Sequence, residues 1–201
     1  MDIIKKAVSA LKNGELIVYP TDTLYGIGAD IFNEEAVKKV FEVKRRPFSE
    51  PLSVAVSSYR DIEKLAYVND EIMKIVKKFL PGPLTLVLRK KETLPDIVTA
   101  GGDSIAIRIP DNEIALKIVS NFGFITATSA NIHNKPVPST IDEIKRVFED
   151  KIKLYIDHGK LCGKPSTIID LRDKEVKILR EGSINLQKIK KVLDGYERRN
   201  L

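Results

Sequence analysis

Short apolar runs alternate with amphipathic stretches along almost the whole chain. Residues 2–13 place Ile3, Ile4, Ala7, Val8 and Leu11 on one helical stripe, with Asp2 positioned as a cap and Gly14 just past the end. Residues 15–19 then read as a short apolar strand that stops at Pro20. The same reading predicts a helix opening at Asn33 and further helices at 58–66, 70–80, 112–121, 140–149 and 185–194. It predicts strands at 51–56, 84–89, 104–109, 124–127, 154–157, 166–171 and 176–180. Strands that recur between helices are covered on their faces, so the expected fold class is α/β, a mixed and largely buried sheet flanked by helices. No repeat or long Gly/Ser linker interrupts the pattern. One domain over 1–195 with a polar tail at 196–201 is expected.

Composition narrows the chemistry. The one cysteine, Cys162, excludes a disulfide within the chain and a cluster built on several thiolates. The two histidines, His133 and His158, offer little for a histidine metal site, and both read as surface residues. No histidine stands next to a credible Ser or Cys nucleophile. The net charge of +6 permits phosphate, nucleotide or nucleic-acid partners without choosing among them. No apolar run approaches the ~18 residues of a membrane span and no targeting segment is visible, so no membrane partner and a cytoplasmic location are expected.

Several stretches can carry chemistry. Residues 20–28 read Pro-Thr-Asp-Thr-Leu-Tyr-Gly-Ile-Gly directly after a strand. They suit either a turn in which Thr21 and Asp22 bond the local backbone or a ligand-binding loop. Lys44, Arg45 and Arg46 end a helix, where they either complement its dipole or clamp a phosphate. On the strand at 104–109, Ile105, Ile107 and Ile109 share one face while Ser104, Ala106 and Arg108 share the other. An arginine on such a face needs an anion, supplied by a protein carboxylate or by a ligand. Thr126, Thr128, Ser129, Asn131, Ser139 and Thr140 offer small polar groups for capping or for nucleotide contacts.

In this order, the stretches resemble the YrdC-like family, the threonylcarbamoyl-AMP synthases. The pattern Pro-Thr-[Asp/Glu]-Thr-x-Tyr-Gly stands at 20–26, and Lys-x-Arg-Pro then Pro-Leu at Lys44, Arg46, Pro47, Pro51 and Leu52. Pro-Gly-Pro-x-Thr ends at Thr85, Arg-x-Pro is Arg108 and Pro110, and Ser-Ala-Asn begins at Ser129. Ser-Thr-[Ile/Val]-[Ile/Val]-Asp runs from Ser166 to Asp170, and Arg-x-Gly is Arg180 and Gly182. The resemblance implies a twisted mixed sheet with a basic concave face, in the short, single-domain form of the family.

It also implies an enzyme, a nucleotidyltransferase that makes threonylcarbamoyl-AMP and pyrophosphate from L-threonine, bicarbonate and ATP. Magnesium accompanies the nucleotide rather than being held by protein alone, and a downstream tRNA-modifying threonylcarbamoyltransferase takes the product. Carried over by position, Thr23, Arg108, Ser129 and Ser166 hold L-threonine. Lys44, Arg46, Ser104, Asn131, Ser139 and Arg180 hold ATP, with Lys44 and Arg46 as the catalytic pair. The alternative is a non-catalytic module that binds RNA, such as tRNA, on the basic face; weak RNA contact is compatible with the enzyme as well. Aromatic residues make up only 6%, and Phe41, Phe79 and Phe122 fall on apolar helical faces, which counts against RNA as the main ligand. The chain departs from many relatives at Glu50, where they have Asn or Lys, and at Ala55, where longer members have His.

Overall fold

A computed structural model describes residues 2–173 and 175–197. In chain order its elements are α1 (Ile3–Lys12), β1 (Ile17–Tyr19), β2 (Gly26–Gly28), α2 (Glu34–Lys44), β3 (Ser53–Ala55), α3 (Tyr59–Leu65), α4 (Asp70–Phe79), β4 (Leu84–Arg89) and α5 (Asp96–Thr99). They continue with β5 (Ser104–Arg108), α6 (Glu113–Phe122), β6 (Ile125–Thr126), β7 (Thr128–Ser129), α7 (Ile141–Phe148), β8 (Leu154–Tyr155), β9 (Thr167–Asp170), β10 (Lys177–Arg180) and α8 (Leu186–Glu197).

Side-chain caps set where the helices begin. Asp2 accepts the Ile4 N–H at 3.1 Å and Asn33 accepts the Ala36 N–H at 3.1 Å, each satisfying a donor that the helix cannot. Thr140 and Glu143 exchange bonds with each other's backbone in a capping box at the start of α7. Helix α2 ends differently. Arg45 takes a left-handed conformation, φ 52°, which is uncommon for a residue with a side chain. The chain turns there and leaves Arg45 exposed while its neighbours Lys44 and Arg46 face inward. Helix α8 extends through Glu197, so residues 196 and 197 of the expected tail are helical; 198–201 lie outside the described residues.

The expected mixed sheet divides into two. One has four strands in the order β7-β2-β1-β8 and the other six in the order β10-β9-β4-β5-β3-β6. Both mix parallel and antiparallel pairs: β1 runs antiparallel to β2 and parallel to β8, and β4 runs antiparallel to β5 and parallel to β9. The residues 124–127, read as one strand, break at Ala127 into β6 and β7, which belong to different sheets. Strand β2 was not legible because Gly-Ile-Gly carries no apolar run, and α5 is a single turn.

Alternation along the six-stranded sheet separates core from site. Leu84, Leu86, Leu88, Ile105, Ile107, Val54 and Ile169 point into the main hydrophobic core, joined there by Val37, Val40 and Phe41 of α2. A second cluster packs Ala7 and Leu11 of α1 and Ile118 and Val119 of α6 against Ile17, Tyr19 and Ala55. Ala55 is therefore part of a core cluster, leaving no polar side chain at that position. Among the described residues, no helix is long and apolar enough to cross a membrane.

Candidate active site

On the other face of the six-stranded sheet lie side chains that are uncharged and short to medium in length. Ser53, Ala106, Val87, Thr85 and Ile168 share that face, linked by the register Ser53–Ala106–Val87 and Thr85–Ile168. They floor a cavity of about 550 Å³, a size typical of ligand sites. Its walls come from the loop after β1, the end of α2, the loop after β7, the turn before β9 and the end of β10.

Thr23, Lys44, Arg46, Arg108, Ser129, Asn131, Ser166 and Arg180 all line this cavity. Two residues carried over with them do not. Ser104 shares the face of Ala106 and Arg108 but sits at the far end of β5, opposite Arg89. Ser139 gives both its N–H and its hydroxyl to the Glu143 carboxylate at the start of α7. His133, read from sequence as a surface residue, is a wall residue with its side chain only 16% exposed. His158 is exposed.

Arg108 meets the carboxylate of Asp22. Its Nη2 donates to Asp22 Oδ1 at 2.6 Å, and Nη1 donates to Thr23 Oγ1 at 3.2 Å. Asp22 Oδ1 also accepts the Asp111 N–H at 3.1 Å. Asp22 Oδ2 and Arg108 Nε are buried with no partner among the described residues. Of the two anions the sequence left open for Arg108, the protein supplies one, and a proton on Nη1 remains for a ligand. The loop reading also resolves into two parts. Thr21 does bond the local backbone, donating to the Leu24 carbonyl at 2.6 Å, whereas Asp22 bonds the distant Asp111 N–H and Arg108 instead; Thr21 and Thr23 both line the cavity.

Lys44 reaches across to the loop after β7. Its Nζ donates to the Ser129 carbonyl at 2.5 Å, the Asn131 carbonyl at 2.9 Å and Asn131 Oδ1 at 3.2 Å. Three acceptors match the three protons of an ammonium. Burial opposes the charge and pulls the pKa down to about 7, with Arg46 adding repulsion. In return, the His133 N–H donates to the Lys44 carbonyl at 2.7 Å, so helix end and loop hold each other. Asn131 is fixed further by Ser129 Oγ, which donates to its Oδ1 at 2.7 Å, and by its own Nδ2 donating to the Lys135 carbonyl at 2.6 Å.

Arg180 leans on Ser166. Its Nε and Nη2 donate to the Ser166 carbonyl at 3.1 and 2.9 Å, and Nη2 also reaches Ser166 Oγ at 3.0 Å. Ser166 Oγ lies 2.8 Å from Thr85 Oγ1. Both protons on Arg180 Nη1 are without a partner among the described residues. Burial and then the charge of Arg108 lower the pKa of Arg180. Arg46 is likewise lowered by burial, against the opposing effect of Glu50.

Two close backbone approaches shape this wall. A Cβ on Gly163 would lie 2.6 Å from the Thr23 carbonyl oxygen, and one on Gly182 would lie 2.6 Å from Ser166 C and Thr167 N. Gly182, the glycine of Arg-x-Gly, is needed because the chain beside Arg180 runs against the backbone that carries Ser166. Residues that sequence reasoning gave no role, Tyr25, Glu50, Ser53 and His133 among them, also line the cavity. Their signal is positional: each lies within or a few residues from a motif already singled out.

The Sua5_yciO_yrdC family model, described as "Telomere recombination", matches residues 9–182. A relative from Methanocaldococcus jannaschii is 49% identical over 192 residues, spanning 92% of this chain and 90% of that one. The threonylcarbamoyl-AMP synthase of Pyrococcus abyssi is 41% identical over 193 residues, spanning 94% of this chain and 57% of that protein. The crystal structure of P. abyssi Sua5 complexed with L-threonine superposes with a TM-score of 0.91 at 41% identity, covering 94% of this chain and 57% of that one. This chain thus spans most of one relative and a little over half of the others. With a family match across most of its length and relatives well above 30% identity, the chain belongs to the Sua5/YciO/YrdC family.

Proposed function

We propose that this protein is a threonylcarbamoyl-AMP synthase that joins L-threonine, bicarbonate and ATP into threonylcarbamoyl-adenylate, pyrophosphate and water. The observation that carries this reading is the convergence of Lys44, Arg46, Arg108 and Arg180 on one cavity. Burial and then the charge of Arg46 lower the pKa of Lys44, and burial and then the charge of Arg108 lower that of Arg180. Such a cluster is relieved by a polyanion. The family relatives bear the activity's name, and L-threonine is the ligand of the P. abyssi structure.

Arg108 offers its remaining Nη1 proton to the threonine carboxylate, beside Thr23. Arg180 and Arg46 face the phosphates. The threonine amine adds to the carbon of bicarbonate, water leaves, and a carbamate oxygen attacks the α-phosphorus while the bond from that phosphorus to the α,β-bridging oxygen breaks, the oxygen leaving as part of pyrophosphate. No protein nucleophile is needed. The catalysis is positioning plus charge stabilisation, with the cations already set in the cavity wall. Magnesium would enter with the nucleotide and offset phosphate charge. Among the described residues no group of three or more His, Cys, Asp or Glu is arranged to hold a metal, and Glu50 is the carboxylate that lines the cavity. The adenylate is a mixed anhydride and passes to a transferase acting on tRNA.

Tyr25 is the one Phe, Tyr or Trp ring among the lining residues, and its hydroxyl is spent on the Gly159 carbonyl at 2.7 Å. That gives no row of stacking rings for an RNA strand. The test is pyrophosphate release. We expect it only when L-threonine and bicarbonate are both present, with serine and valine much poorer. Release indifferent to threonine would overturn this reading, and salt-dependent tRNA affinity without turnover would replace it by the RNA-binding one.

A further inference from the structure

Glu50 stands where a carboxylate is least expected, on the wall of a cavity built from cations. A turn folds it back: the Glu50 N–H donates to the Pro47 carbonyl at 3.1 Å, and Arg46 Nε donates to the Glu50 carbonyl at 3.2 Å. The carboxylate then lies between two wall residues. Oε2 is 3.2 Å from Arg46 Nη2, and Oε1 is 3.1 Å from His133 Nε2. His133 Nδ1 faces Arg46 Nη1 at 3.3 Å. The partners assign the imidazole: Nδ1, opposite a guanidinium, accepts, and Nε2, opposite a carboxylate, donates.

This ring consumes most of Arg46. Nε and Nη2 are engaged by Glu50 and by the Pro51 carbonyl at 3.0 Å, and one Nη1 proton is held by His133. A phosphate oxygen approaching Arg46 Nη2 therefore meets a carboxylate oxygen already there. Glu50 is also the most exposed of the three, at 42% against 20% for Arg46 and 16% for His133. The exposed member of an ion pair is the one that can be exchanged.

We propose that Glu50 is an internal competitor for the polyphosphate: it holds Arg46 through the empty state and is displaced when a polyphosphate takes the guanidinium. It sets nucleotide affinity rather than supplying a contact to it. This rests on the nucleotide reading of the cavity and deepens it. His133 and the backbone carbonyls keep Arg46 in place during the exchange.

The test is calorimetric titration of the protein with a non-hydrolysable ATP analogue and, separately, with inorganic pyrophosphate, with and without magnesium. Glu50→Gln keeps the shape and removes the charge. We expect it to tighten binding of both ligands about three- to fivefold, the upper part of what an accessible ion pair contributes. In an Arg46→Ala background, Glu50→Gln should produce no gain, because the competition has lost its object. Unchanged or weaker binding by Glu50→Gln, or the same gain without Arg46, overturns the proposal. If the wild type binds no polyphosphate, the proposal falls with the nucleotide reading. If Glu50→Gln tightens pyrophosphate binding while turnover proves independent of threonine, the synthase reading falls and this one stands.

Discussion

Arg108 and Asp22 form an ion pair of 2.6 Å from which solvent is almost excluded on both sides. The pair ties the loop after β1 to the end of β5, and with it two walls of the cavity. Removing one partner of a buried pair leaves the other charge uncompensated, at a cost of about 3–5 kcal/mol. Asp22→Ala is expected to lose that much in urea unfolding. Asp22→Asn, which retains an acceptor for Nη2, is expected to lose less but to raise the KM for threonine more than it lowers kcat. A loss below ~1 kcal/mol for the alanine variant would show that the pair is not what holds the loop.

Lys44 should write its burial into the pH dependence of stability. Its ammonium, ordinarily near 10.5, is pulled down to about 7. Between about pH 7 and 10.5 the unfolded chain keeps a proton that the native protein releases, so this residue makes stability rise with pH across that window and contributes no slope below it. Lys44→Met removes the titration. The difference in unfolding free energy between wild type and the methionine variant should therefore move in favour of wild type from pH 6.5 to pH 9. A flat difference would show that the three carbonyl acceptors hold the proton throughout.

Thr126 is fully buried, and its hydroxyl serves β2 and the residue that follows it. It accepts the Ala29 N–H at 3.0 Å and donates to the Ile27 carbonyl at 2.8 Å. Thr126→Val preserves the shape and strands both backbone groups. Buried groups without partners cost about 1–3 kcal/mol each, so a drop in Tm of several degrees is expected with little change in the affinity for threonine.

Gly182→Ala tests the close packing beside Arg180. The added methyl meets backbone, not the far end of a flexible side chain, so the segment that carries Ser166 into β9 must move. The expected result is at least tenfold lower turnover. Gly123→Ala is the contrast, because a Cβ there meets nothing within 4 Å. It bears only the conformational strain of its positive φ, and its effect should be confined to stability.

The sequence exposed the parts of this protein whose physics is local. Asp2, Asn33 and Thr140 announce their helices because a cap needs only its own first turn. The face alternation at 104–108 is likewise a property of the strand alone, and it separated Ile105 and Ile107 from Arg108 before any neighbour was known. What stayed hidden depends on partners distant in sequence. That Asp22 would occupy Arg108, that Lys44 would spend its ammonium on backbone carbonyls, and that Glu50 would reach His133 are facts about residues roughly 80 positions apart. Ser104 shows the converse. It has the right strand and the right face, but the wrong distance along it.

At Ala127 the chain steps directly from the six-stranded sheet to the four-stranded one, and Ala127 itself lines the cavity. The cavity is therefore a seam, crossed by the chain at Ala127 and bridged by the hydrogen bonds of Thr126 and by the Arg108–Asp22 pair. A ligand seated there presses on both sheets at once. Occupancy then acts as a keystone: it need not reshape either sheet to stiffen the joint between them, and the amides of residues 126–129 are where that stiffening would first register as slowed exchange with solvent.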